Sequence, residues 1–232
     1  LKAQDWESAC DNYANGDYAQ AYAVWHSIEE SGLVSPELYY NLGCASFKCS
    51  EIARSVLYFE RALKLDPSYS DARHNLEFVS QFLQDRVDSV PEFFLVSWIR
   101  SARNIFNSDV WAAISLGLLA ILLLSIGGLL LFDGKKLRIV SFAISIFTFL
   151  ALFWSFSCSI SLKNASEDES HAVVMSAVVV VRSSPDDKSG VDLFILHEGT
   201  KSHILEEVGN WYKIELSDGR QGWAQKSDLE VI

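Results

Sequence analysis

The chain has 232 residues, is half hydrophobic, and carries a formal net charge of −11 at pH 7. That length suggests one or two domains, and the acidic balance speaks against nucleic-acid binding, which needs a basic footprint. The charge is uneven: residues 1–109 and 164–232 each carry net −7, whereas residues 110–163 carry +3. Two acidic modules thus flank a basic, apolar segment, and that segment must supply any anchoring to anionic lipid. Cys10, Cys44 and Cys49 lie in the first module and Cys158 in the apolar segment. Their spacing is no metal-site pattern. Buried small side chains are the expectation, and a Cys10–Cys44 bridge is not.

Residues 1–90 contain a repeat. Gly16-Asp17-Tyr18-x-x-Ala21 recurs in weakened form as Ser50-Glu51-Ile52-x-x-Ser55, 34 residues on. At the same offset Trp25 corresponds to Phe59, Ile28 to Ala62 and Ala9 to Gly43. A period of 34 is that of tetratricopeptide repeats, pairs of antiparallel helices stacked into a superhelix. Asn41-Leu42-Gly43 and Ala62-Leu63-x-Leu65-Asp66-Pro67 make the second copy resemble that family closely; in the first, Leu33 replaces the closing Pro. Asp71 to Glu77 opens a third copy with no second half. Its helix is expected to run to about Asp88, with Leu76, Val79, Leu83 and Val87 on one face, as a cap. Two and a half repeats are few for an independent core, so a partner or the membrane is expected to complete it. The first helix of each pair offers Trp6, Cys10 and Tyr13, then Tyr40, Cys44 and Phe47. Trp6, Tyr13, Tyr40 and Phe47 are the candidate partner-binding groove; inter-helix packing explains the same aromatics equally well. The lysine pair that grips a C-terminal carboxylate in chaperone-binding members is absent, Trp6 and Tyr40 standing there instead.

Pro91 is expected to end the cap helix, and residues 91–109 read as an amphipathic helix. Phe94, Leu95, Trp98, Ile99, Ala102, Ile105 and Phe106 share one face. Beside an apolar span such a helix is expected in the membrane interface, with Trp98 and Trp111 at headgroup level and Arg100 and Arg103 towards phosphates. Residues 110–132 and 139–162 hold no charged residue, and each is long enough to cross a hydrocarbon core. Only residues 133–138 separate them, so the two spans form a hairpin and both flanks lie on one side. Lys135, Lys136 and Arg138 favour a cytoplasmic loop, although Arg100, Arg103 and Lys163 flank the outer ends. Leu1 in place of Met is expected to reflect a processed terminus, and a secretory signal upstream of it would put the first module outside. Without ionisable residues the spans suit anchoring and assembly rather than transport. Gly127, Gly128 and several serines allow close helix packing.

After a linker, residues 163–171, the pattern turns to short β-branched strands. Val178–Val181, Leu193–Leu196, Ser202–Leu205, Trp211–Leu216 and Gly222–Ala224 mark a small all-β barrel over residues 172–232. Asp218-Gly219 supplies a tight hairpin turn. Val181-Arg182-Ser183-Ser184-Pro185, Leu196-x-Glu198-Gly199-Thr200, Asn210-Trp211-Tyr212 and Gly222-Trp223 resemble the bacterial SH3-like domain. Some such domains bind cell-wall peptides, which makes Tyr212 and Trp223 candidate surface residues, while Trp211 is expected to pack. His26, His74, His171, His197 and His203 are scattered and read as ordinary surface or core residues. No catalytic constellation, metal site or cofactor is expected.

The fold class is therefore a multidomain membrane protein: an all-α tetratricopeptide repeat module, a two-helix transmembrane hairpin and a small all-β SH3-like barrel. This order of parts resembles the BatE family of Bacteroides aerotolerance proteins, most specifically in Asp192 to Trp223. The resemblance implies a non-enzymatic component of a bacterial inner membrane with a role in envelope integrity and tolerance of oxygen or stress. The basic loop adds the expectation that both soluble modules are periplasmic, and the two modules that of a scaffold. The resemblance also implies partners: other Bat membrane proteins, some with von Willebrand factor A domains, and indirectly a MoxR-type ATPase. The competing expectation is a stand-alone receptor that senses peptidoglycan through the SH3-like module.

Overall fold

The computed structural model describes residues 2–85, 93–131, 133–186 and 189–232. The chain divides into two units, one from Leu1–Leu65, Tyr69–Phe93 and Asp168–Ile232, the other from Asp66–Ser68 and Phe94–Glu167.

The first unit begins with helices α1 (Lys2–Ala14), α2 (Tyr18–Glu30), α3 (Pro36–Lys48), α4 (Ile52–Leu65) and α5 (Ser70–Val79). Helix α3 starts where the sequence dictates: Pro36 fits the first turn, and the Ser35 hydroxyl accepts a bond from the Leu38 N–H at 3.1 Å. The glycine at 43 is required by packing. A β-carbon there would lie 2.8 Å from the Phe59 ring, so only Gly lets α3 and α4 approach this closely. Buried Ser55 then donates to the Gly43 carbonyl at 2.9 Å. Ala9, Ala21, Trp25, Ile28, Leu38, Leu42, Ala45 and Tyr58 form a core that runs through both helix pairs. The matched turns are also alike in backbone: Gly16 has φ 88° and Ser50 φ 65°.

The cap helix is shorter than its periodicity suggests. Helix α5 ends at Val79, a single 3₁₀ turn covers Ser80–Phe82, and Leu83 is extended. Val87, Asp88 and Pro91 lie outside the described residues. Tertiary contacts override the helical pattern here: leaving the helix lets Leu83 meet Gly199, and lets Asp85 reach a second module.

That module is one antiparallel sheet of seven strands: β1 (His171–Val174), β2 (Val178–Arg182), β3 (Asp192–His197), β4 (Lys201–Val208), β5 (Trp211–Glu215), β6 (Gln221–Gln225) and β7 (Leu229–Val231). Their spatial order is β3-β2-β6-β5-β4-β1-β7, an arrangement that fits an SH3-like domain. Alternation puts Val179, Val181, Leu196, Ile214, Ala224 and Leu229 in its core. Strand β7 has no recognisable signal of its own; it exists because Leu229, Glu230 and Val231 pair with β1.

Repeats and sheet share a second core. Val173 and Ile232 are buried with Val56, Leu57, Phe59, Ala62, Ala72 and Val79, and Met175, Leu76 and Leu83 pack against them. Around it, Arg61 donates to the Glu230 carboxylate at 3.0 Å and the Val231 carbonyl at 2.8 Å. Lys64 donates to the Ile232 backbone oxygen at 2.7 Å, and Lys201 to Glu60 at 2.7 Å. The open edge of the second helix pair is therefore covered by residues from the other end of the chain.

The second unit holds α6 (Phe94–Arg103), α7 (Ser108–Leu131) and α8 (Lys135–Glu167). Helices α7 and α8 are long and apolar enough to cross a membrane: at 1.5 Å per residue even α7 is about 36 Å long, against a hydrocarbon core of about 30 Å. Only 11% of the most apolar window of α7 and 22% of that of α8 is buried, unlike the core helices of a soluble domain. The pair is joined by hydroxyl bonds: Ser115 to Ser155 at 3.0 Å, Ser125 with Ser145 at 2.8 Å, and Ser159 to the Ser108 carbonyl at 3.0 Å. The expected loop at 133–138 is tighter than its charges suggest, since α8 starts at Lys135, and Phe132 lies outside the described residues. The expected linker at 163–171 is helical as far as Glu167.

Candidate interaction surfaces

The aromatic positions of α1 and α3 divide into two groups. Trp6 and Tyr13 are half-buried on the first core, their rings 6.3 and 5.8 Å from that of Trp25. Tyr40 is held from behind by α5: Asn75 donates to its hydroxyl at 3.3 Å, and Tyr69 and Phe59 stand 5.2 and 5.9 Å from its ring. Phe47 is half-buried against the second core and borders Phe78 and Phe82, each 5.6 Å away. Phe78 and Phe82 are 45% and 57% exposed, an unusual setting for phenylalanine. Beside them, Tyr13, Cys44, Phe47, Lys48, Phe59, Asn75, Phe78 and Val79 line a cavity of about 190 Å³. Burial pushes the phenols of Tyr13 and Tyr40 up to about 12, so both present neutral hydroxyls at physiological pH. The structure thus brings Tyr13 and Phe47 to one concavity, while Trp6 and Tyr40 mainly support helix packing. All four cysteines are free thiols; Cys158 is buried and Cys44 half-buried, but Cys10 and Cys49, at the helix surface, are exposed rather than buried as expected.

On the sheet, the register separates the two aromatic candidates. Tyr212 is opposite buried Ala224 and packs on the core, with Lys226 Nζ 5.0 Å from its ring centre. Trp223 points the other way. It is half-buried on the outer face, level in register with Arg182 on β2, which is ion-paired with Asp192 at 3.5 Å, and with Lys213 on β5. Trp211, expected to pack, is opposite Gln225 on that same outer face; the packing role falls to Tyr212 one residue on.

In the second unit, Trp98 is 67% exposed on α6, along with Phe94, Leu95 and Ile99. Trp111 is instead buried, packed with Ile114, Cys158 and Leu162, and its indole donates to the Arg103 carbonyl at 2.8 Å. Arg103 is drawn inward too, donating to Ser161 at 2.9 Å. Both lock the end of α6 onto the hairpin, whereas Trp98 and Arg100 stay on the exposed side. Gly127 faces open space, with nothing within 4 Å of where a β-carbon would be, and Gly128 is buried.

Sequence reasoning missed the residues that join the modules. The Asp85 carboxylate accepts three bonds: from the His197 backbone N–H at 2.6 Å, from His197 Nδ1 at 2.8 Å and from the Thr200 hydroxyl at 2.9 Å. A carboxylate only accepts, so Nδ1 carries the proton. Burial acts to raise the Asp85 pKa, but the His197 and Thr200 bonds outweigh it and hold the carboxyl below its usual value. Gly199 closes the turn between His197 and Thr200 with φ 82°, against the Leu83 side chain. The one available signal was Leu196-x-Glu198-Gly199-Thr200, which marks the turn but not what docks there. Among the described residues no cluster of His, Cys, Asp and Glu has metal-binding geometry.

Two stretches of the chain match family models. Residues 36–69 match the tetratricopeptide repeat, and residues 176–230 match the bacterial SH3 domain. The first match covers α3 and α4, the copy with the Asn-Leu-Gly and Leu-Asp-Pro signatures. No curated protein and no solved structure matches the chain.

Proposed function

We propose that this protein is a non-enzymatic scaffold of a bacterial inner membrane, working as the BatE-like subunit of a Bat-type complex that supports envelope integrity and aerotolerance. Its partners are then other Bat membrane proteins with von Willebrand factor A domains and, through them, a MoxR-type ATPase. The observation that carries the scaffold reading is the juxtaposition of two interaction-type modules in one body, with the exposed rings of Phe78 and Phe82 clustered beside half-buried Phe47. Aromatic side chains, phenylalanine among them, are enriched in the cores of protein interfaces. Gentle extraction from the native membrane, followed by identification of co-purifying proteins, tests it. Recovery of von Willebrand factor A-domain membrane proteins supports the Bat assignment, and recovery of the chain alone sinks it.

Trp223, on the face of the sheet away from its core, favours one second reading, a receptor for cell-wall peptides. Under it, full-length protein in lipid nanodiscs binds purified wall fragments saturably, and Trp223→Ala abolishes binding without unfolding. The scaffold reading expects no such binding.

A further inference from the structure

A stack of helical repeats exposes an apolar edge wherever it stops, and that edge needs a cover. In this chain the second pair, α3 and α4, is followed by a single short helix, and the cover is a sheet. Val173, Met175 and Ile232 fill the apolar part. The polar rim joins separate elements: Arg61 of α4 to β7, Glu60 of α4 to Lys201 of β4, and Asp85 to the β3–β4 turn. Three bonds to one carboxylate, largely shielded from water, are the strongest type of hydrogen bond available at such a junction.

The geometry points to the C-terminal module acting in cis as the missing third repeat. Residues 2–85 and 168–232 are one folding unit, clasped by Asp85, into which the α6–α8 segment is inserted. The partner for the open repeat edge is thus this chain's own sheet rather than a foreign protein. The cis pairing follows from how the insertion returns. Helices α7 and α8 run antiparallel, with Ser159 bonded to the Ser108 carbonyl and Arg103 to Ser161. The two ends of the hairpin therefore lie side by side, and a short tether of this kind raises the effective concentration of one module near the other. A functional consequence is that neither module is a bead on a tether. The Phe47 concavity and the outer face bearing Trp223 are presented by one body, and a partner that touches both meets a preorganised surface.

Two measurements on the full chain in lipid nanodiscs test this. Hydrogen exchange is compared for wild type, Asp85→Ala, Thr200→Val and, as an exposed control on α5, Glu77→Ala. Each clasp variant is expected to raise exchange roughly ten-fold or more in α5 and in β1 together, whichever module carries the change, while Glu77→Ala does neither. Thr200→Val removes one bond of three and keeps the shape, so it reads the junction even if Asp85→Ala fails to fold. Exchange that rises only in the module carrying the substitution overturns the single unit. The second measurement is zero-length cross-linking of Lys201 to Glu60 in a mixture of isotopically light and heavy chains. Cross-linked peptides that are purely light or purely heavy support the cis clasp. Mixed peptides would show the sheet exchanged between two copies and overturn it.

Discussion

Ser50 is the one described non-glycine residue in the left-handed region, and it occupies the position that Gly16 holds one repeat earlier. A side chain there costs about 1–2 kcal/mol relative to glycine, which adopts the conformation freely. Part of that is returned by the greater freedom of glycine in the unfolded chain. Ser50→Gly should therefore stabilise the repeats by about 1 kcal/mol, read as a rise in the midpoint of chemical unfolding followed by tryptophan fluorescence. An unchanged or lowered midpoint means that the serine makes a compensating interaction. Tyr40 and Phe47 call for separate tests because their surroundings differ. Tyr40 is bonded to Asn75 and stacked among Phe59 and Tyr69, so Tyr40→Ala should cost about 3 kcal/mol of stability, as large aromatic truncations in a core do. Phe47→Ala removes a half-buried ring at the edge of the second core and should cost less stability than Tyr40→Ala while weakening partner recovery by about 2 kcal/mol. If Phe47→Ala melts the repeats and spares the partner, the cluster is packing alone.

At the scale of elements, the hairpin helices have two distinct faces. The hydroxyl bonds of Ser115, Ser125, Ser145, Ser155 and Ser159 fall between α7 and α8, so these small polar residues are already used within the hairpin. Gly128 is on that buried face, but Gly127 looks into open space. The two glycines, adjacent in sequence, should therefore behave differently. Gly127→Leu should leave the hairpin formed and reduce co-purification of other membrane proteins, whereas Gly128→Leu should disturb the hairpin and lower the yield of folded protein. Equal effects from both would remove the case for a neighbour at Gly127. The hairpin, the helix pairs and most strands were legible because each is a local pattern: a charge-free run, a 34-residue offset, an alternation of β-branched residues. The glycine at 43 could be read as a close crossing because it repeats Ala9. What could not be read was set by distant parts of the chain. Asp85 and His197 are 112 positions apart and follow no period. Helix α5 stops early to reach them, β7 forms only against β1, and the exchange of roles between Trp211 and Tyr212 depends on a register that a one-residue shift would invert.

At the scale of the molecule, the clasp bears on topology more firmly than charge counting does. Three basic residues lie in the loop and three at the outer ends of the spans, so the positive-inside count alone is balanced. The bonds from Arg61, Lys64 and Asp85 to the C-terminal module cannot form across a bilayer. Residues 2–85 and 168–232 must therefore share a compartment, and any crossings by the chain between them must be even in number. Helices α7 and α8 are long and apolar enough for two crossings. Direction then rests on density: Lys135 and Lys136 begin α8 directly after the turn and Arg138 follows, which favours that turn on the cytoplasmic side. Protease added to intact spheroplasts should then digest both modules, while a cysteine placed at Gly134 should resist a membrane-impermeant thiol reagent until the membrane is opened. Protection of both modules, with Gly134→Cys labelled from outside, would invert the orientation and leave the clasp standing. Digestion of one module and protection of the other would be incompatible with every bond across the junction, and would remove the hairpin and the single folding unit together.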